Sequence, residues 1–228
     1  MERVRGRRWL ITGRRWAVAG LILIVMLNGC GTTSNPAAAT APATTTATDE
    51  PPGLAPAAPC ADGLLRVGDL PAIDASWRQG LDDATRIAHA WQADARLVSF
   101  QVGCQILAPG FRWRVTFYSP SLQLFFTSDT GATTPAETDP SKIPTLPTDG
   151  ISFLTLRRAL LKNGYPDTTE ISPVDGVDVR LNTSDDPFGP PNAPTGVVYF
   201  HVAVIANGET KDLFVSAVDG TIYRYNAP

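Results

Sequence analysis

Residues 31–59 hold no aromatic side chain and one large aliphatic one, Leu54, among alanines, threonines and prolines. A segment of that composition cannot bury enough apolar surface to offset the entropy of ordering its backbone. Whatever folds must therefore be built from residues 60–228, a length that suffices for one domain or two small ones. As a coil the excluded tract spans on the order of 30 Å, and as an extended polyproline-like chain about 90 Å, so it reads as a disordered spacer.

Within the remainder the apolar residues change period several times. Leu81, Ala84, Ile87, Ala88, Trp91 and Ala95 recur at helical spacing, with Asp82 and Asp83 where a helix N-terminus favours negative charge. Alternation then takes over, Val98, Phe100 and Val102 against Ser99 and Gln101. Trp113, Val115 and Phe117 follow against Arg112, Arg114 and Thr116. A third strand over 122–128 runs into the turn Asp129-Thr130-Gly131.

The second half repeats that order. Ser152 is placed to cap a helix carrying Phe153, Leu156, Ala159 and Leu160, ended by Gly164 and Pro166. Val177, Val179 and Leu181 alternate, and 196–206 is a long β-branched and aromatic run before the hairpin signal Asn207-Gly208. Residues 211–217 return, and Val218-Asp219-Gly220 turns into a last strand over 221–225. Residues 132–150, with four prolines, read as a connector. The expected fold is α+β, two helix-plus-antiparallel-sheet repeats over 60–131 and 151–228.

Ahead of the spacer, Arg3, Arg5, Arg7, Arg8, Arg14 and Arg15 precede an apolar run over 16–27. That run has the length of a signal-peptide core and falls short of the ~20 residues a membrane span needs. It closes on Leu27-Asn28-Gly29-Cys30, which resembles the lipobox of bacterial lipoproteins. The resemblance implies that residues 1–29 are a signal peptide and that Cys30 is acylated, by palmitate among other chains. The tether 30–59 would then hold the fold on the extracytoplasmic face of the cell membrane. Asn28 departs from the usual Ala, Ser or Thr, and an uncleaved signal anchor is the alternative. Arg14-Arg15 before Trp16 is somewhat like a twin-arginine export signal but lacks its serine and phenylalanine.

Removing that leader takes six arginines and one glutamate from the 19 basic and 22 acidic residues, leaving 13 against 21, a balance of −8. An acidic surface without clustered Lys and Arg excludes nucleic acid as a partner. The cysteine count fits the same address. With Cys30 acylated, Cys60 and Cys104 remain to form a disulfide, which persists in an exported protein. Two buried free thiols are the alternative.

Both halves end in related turns: Leu124-Phe125 before Asp129-Thr130-Gly131, and Leu213-Phe214 before Val218-Asp219-Gly220. A helix, a strand, the aromatic-led strand over 113–117 and a closing strand ending in Asp-Thr-Gly resemble the PepSY family. The resemblance implies a tandem PepSY-like, cystatin-like fold and a binding or inhibitory role. It supplies no catalytic residue.

A search for chemistry points the same way. His89 and His201 have no nucleophile or orienting partner visible in sequence, and no zinc pair or phosphate-cradling glycine loop accompanies them. Asp175, Asp178, Asp185 and Asp186 match no calcium-loop spacing and read as solvated turn carboxylates. No metal, cofactor or enzymatic activity is expected. Candidate contact residues are Phe188, in a stiff loop of Asp, Pro and Gly, and the patch Arg112, Arg114 and Tyr118 on the strand face opposite Trp113. The expected function is a protein-binding or inhibitory module at the cell surface, its partner an extracytoplasmic protein or wall component. A small-ligand or wall-polymer binding lipoprotein is the alternative.

Overall fold

Residues 58–105, 109–173, 175–186 and 189–224 are described by a computed structural model. The apolar stripe of the first helix starts earlier than expected. Leu70, Ile73 and Trp77, all buried, continue it toward the N-terminus, so α1 spans Leu70–Trp91 with a proline in its first turn. Asp82 and Asp83 consequently sit inside the helix and not at its start. Gly80 disguised the continuity: a Cβ there would stand 2.9 Å from three ring atoms of Trp113, so only glycine lets helix and indole meet.

The strands follow as β1 (Leu65–Arg66), β2 (Arg96–Cys104), β3 (Phe111–Ser119), β4 (Leu124–Thr127) and β5 (Ala132–Pro135). After α2 (Phe153–Lys162) come β6 (Glu170–Ile171), β7 (Val177–Leu181), β8 (Val198–Ala206), β9 (Glu209–Ser216) and β10 (Ile222–Arg224). The local signals explain several of these. Ser152 accepts a hydrogen bond from the Leu154 amide at the start of α2, and Gly164 follows its end at φ +84°. Asn207 and Gly208, both at positive φ, turn β8 into β9.

All ten strands lie in one antiparallel sheet, so the described residues form an α+β fold with a single sheet and two α-helices. The order across it is β10, β9, β8, β7, β2, β3, β4, β5, with β6 beside β8 and β1 beside β6. The central seam pairs β2 with β7 through Phe100↔Val179 and Val102↔Val177, joining the halves of the chain. Both helices cover one face. Trp77 on α1 stacks on Phe100 with centroids 5.5 Å apart, and Phe153 on α2 meets Phe100 at 6.2 Å and Phe200 at 5.1 Å. Val115, Phe117, Val202, Leu213 and Val215 complete this core.

Residues 132–150 do more than connect. Ala132–Pro135 adds β5 to the sheet edge, Ile143 and Leu146 are buried, and the Leu146 amide donates to the Leu97 carbonyl at 2.8 Å. Proline content argued for a linker, but the short strand pairs at the edge, where its outer N–H groups need no partner within the sheet. Cys60 and Cys104 form a disulfide with Cα atoms 5.5 Å apart, fastening the segment before β1 to the end of β2. Every described residue falls within the compact unit Pro52–Pro228, and among them no helix is long and apolar enough to cross a membrane.

Candidate functional site

Strand alternation gives the sheet a second face, opposite α1 and α2, that no helix among the described residues covers. Residues opposite one another across the strands form rows on it. Ser99, Thr116 and Thr127 are register partners on β2, β3 and β4. The neighbouring row runs Tyr118, Phe125, Thr134 on β3, β4 and β5. Adjacent strands are about 4.8 Å apart, which sets the spacing along each row. Beside these rows lies a hollow of about 540 Å³, lined by Thr116 and Phe125 of the strands, Ile143 of the connector, and Arg180, Thr183 and Asp186.

A second hollow of about 370 Å³ adjoins it, sharing Arg180 and reaching Gln101, Asp178, Tyr199 and His201. Its polar groups are tightly held. Arg180 pairs with Asp178 at 2.6 Å, and the Tyr199 hydroxyl donates to Asp186 at 3.2 Å. Burial pushes the Asp178 carboxyl above the usual range despite the guanidinium beside it, and burial likewise raises the Tyr199 phenol. Asp178 is 9% exposed, and its Oδ1 has no hydrogen-bond partner among the described residues. His201 stacks on Phe214 with centroids 4.7 Å apart, and its Nε2 lies 3.4 Å from Asp212. The sequence showed no partner for it because the pairing crosses from β8 to β9. His89 also has one, the Ala95 carbonyl 3.2 Å from Nε2.

Arg112 and Arg114 project from the open face as expected, but both are engaged. Arg112 Nη2 and Arg114 Nε reach Asp129 Oδ2 at 2.6 and 3.1 Å. Burial opposes ionisation of Asp129, whose side chain is 10% exposed, yet the two guanidiniums hold its carboxyl below the ordinary range. The aspartate of the Asp-Thr-Gly turn is thus an arginine clamp. Tyr118 leaves the candidate patch: it is fully buried, beside Phe125 at 5.3 Å and with the Arg96 guanidinium over its ring at 5.3 Å. The connector holds Arg96 through the Pro140 carbonyl at 3.1 Å, which closes that end of the face. Phe188 and Cys30 lie outside the described residues.

The acidic set is dispersed. Asp178 is buried in β7 and so is not a solvated turn carboxylate, while Asp185 stands 3.4 Å from Lys142 across the cleft mouth. Among the described residues no three metal-ligating side chains come together. A wider hollow of about 650 Å³ lies on the opposite side of the sheet, between α2 and the turn at Asp219. Asp219 is spent there on the Thr221 amide, and Arg158 and Lys162 stand near a helix C-terminus, where cations are ordinary. The uncovered face is therefore the stronger candidate. Sequence reasoning passed over Phe125, Thr116, Thr127 and Arg180; the alternation that put Trp113 and Phe117 inward already put Thr116 outward.

No family model matches the chain, and no curated protein matches it. Among solved structures, a protein of Clostridium difficile 630 described provisionally as a lipoprotein is similar over 62% of this chain and 88% of its own, at 13% identity. The TM-score of that superposition is 0.38, and nothing about this chain follows from it.

Proposed function

We propose that this chain is an exported lipoprotein, acylated at Cys30 and tethered by residues 31–59, whose folded unit works by binding and not by turnover. The lipobox-like Leu27-Asn28-Gly29-Cys30 supports the address, and the Cys60–Cys104 disulfide is consistent with an oxidising compartment. The capture site is the cleft on the sheet face opposite the helices, and its volume of about 540 Å³ is the observation that carries this reading. A concavity of that volume suits a ligand or a polymer strand.

A tandem PepSY-like origin is part of the proposal. Its support is the order of the sheet, in which β2-β3-β4 and β7-β8-β9 are adjacent meanders, each preceded in sequence by a helix packed on the same face. A protein partner is the second reading, favoured by β5, an edge strand with all four residues exposed, which an extended segment can lengthen.

The test begins on intact cells. The protein should partition into detergent with Cys30 as its acylated first residue, and Cys30→Ala should leave it uncleaved or shed. A photo-crosslinker at Phe125 should then trap the partner, whereas one at Ile87, an exposed position on α1, should not. Equal trapping from both positions would sink the cleft assignment.

A further inference from the structure

We infer that the cleft takes an extended, uncharged glycan chain, a ligand class that rests on the cleft being the capture site. The first ground is unspent hydrogen bonding. The hydroxyls of Ser99, Thr116, Thr127 and Thr134 line the cleft and make no hydrogen bond to any described residue. Each is both a donor and an acceptor, which matches a ligand whose own polar groups are hydroxyls and amides. Ser99, Thr116 and Thr127 repeat at the strand spacing of about 4.8 Å. That pitch is close to the rise of one sugar ring in an extended chain, so successive rings meet equivalent hydroxyls.

The second ground is the aromatic floor. Phe125 is half-buried in the row beside those hydroxyls and packs against Tyr118, its register partner on β3, with ring centroids 5.3 Å apart. A ring held with one side open offers an apolar surface for the C–H face of a sugar, at little cost in conformational entropy. The third is charge. Lys142 and Asp185 pair at the mouth, and Arg180 and Asp186 are each engaged, so the lining is balanced and an ionic ligand gains nothing there.

The experiment uses the full acylated chain in detergent micelles, titrated calorimetrically with chitotetraose and cellotetraose, and with tetragalacturonate as the charged comparator. At least one neutral tetrasaccharide should bind, and tetragalacturonate should bind at least about tenfold more weakly. Thr116→Val combined with Thr127→Val keeps side-chain volume while removing two hydroxyls, and should weaken the neutral ligand about tenfold or more. Arg112→Ala, outside the cleft, should leave affinity unchanged, with near-ultraviolet circular dichroism verifying the fold of each variant. Absence of binding by both neutral tetrasaccharides to folded protein overturns the glycan assignment, and so does unchanged affinity in the double threonine variant. If the tetrasaccharides fail while Phe125 crosslinking still traps a partner on cells, the ligand class falls and the cleft reading survives. If both fail, both fall.

Discussion

Reducing the Cys60–Cys104 bridge removes a contribution to this protein's stability that can be sized, because the bond closes a long loop while both cysteines stay packed at the core. The cysteines are 44 residues apart, and the loop between them contains all of α1 and most of β2. In the chain-entropy picture, constraining a loop of that length in the unfolded state stabilises the fold by about 4 kcal/mol. For a folded unit of this size each kcal/mol moves the melting temperature by about 2–4 °C, so loss of the bridge should lower it by about 8–16 °C. The assay is calorimetric melting of the full chain with and without a phosphine reductant, beside Cys60→Ala, Cys104→Ala and the double variant. Because each single change removes the same bond, the three variants should agree within about 0.5 kcal/mol. A shift below about 3 °C with both thiols shown free would refute the reasoning, as would a double variant that loses the sum of the two singles.

Three further outcomes follow from the packing. Leu213→Asp puts a carboxylate at a site 4% exposed in the helix-covered core and should cost more than about 3 kcal/mol in urea unfolding; wild-type stability would mean that side chain faces solvent. Gly80→Ala gains about 1 kcal/mol of helix propensity but drives a methyl into the Trp113 ring near its Cγ, so the net should be a loss of about 1 kcal/mol, and a stabilised variant would show the indole swings aside freely. Asp129→Asn frees Arg112 and Arg114, both more than a third exposed, and should cost about 1 kcal/mol at pH 7. Since the folded Asp129 pKa is depressed, that contribution is complete above the ordinary aspartate range and fades as pH falls below about 4, so wild type and variant should converge in acid. A difference that persists at pH 2 would point to packing and not charge.

Much of the fold was legible because its long elements carry strong periodicity. The strand over Val177–Leu181 and the hairpin at Asn207-Gly208 stand where alternation and turn chemistry placed them. The capped start of α2 does too. The errors have local causes. Gly80 broke the apparent helix and moved its start downstream, because a glycine kept for close packing is indistinguishable in sequence from one that ends an element. β1 and β6, two residues each, are too short to show any period, and they exist because they pair with each other and with β8. β5 was hidden by the prolines around it.

The site was legible only in part, for a reason that lies in the long-range pairing. Alternation told which side chains leave the helix-covered face, so Arg112, Arg114 and Thr116 were placed outward correctly. It could not tell what covers them next. Tyr118 looked like a contact residue and is buried because the connector over 132–150 folds back onto that end of β3 and holds Arg96 over its ring. Asp178 looked solvated and is buried because β7 joins β2 on one side and β8 on the other, setting Gln101 and His201 against it. The cleft itself exists only once β2, β3 and β4 of the first half stand beside Arg180 of the second. A groove assembled across a seam between distant strands leaves no pattern in either segment. What the segments do carry is the unspent hydroxyl of each outward threonine, and that is the property a ligand would use.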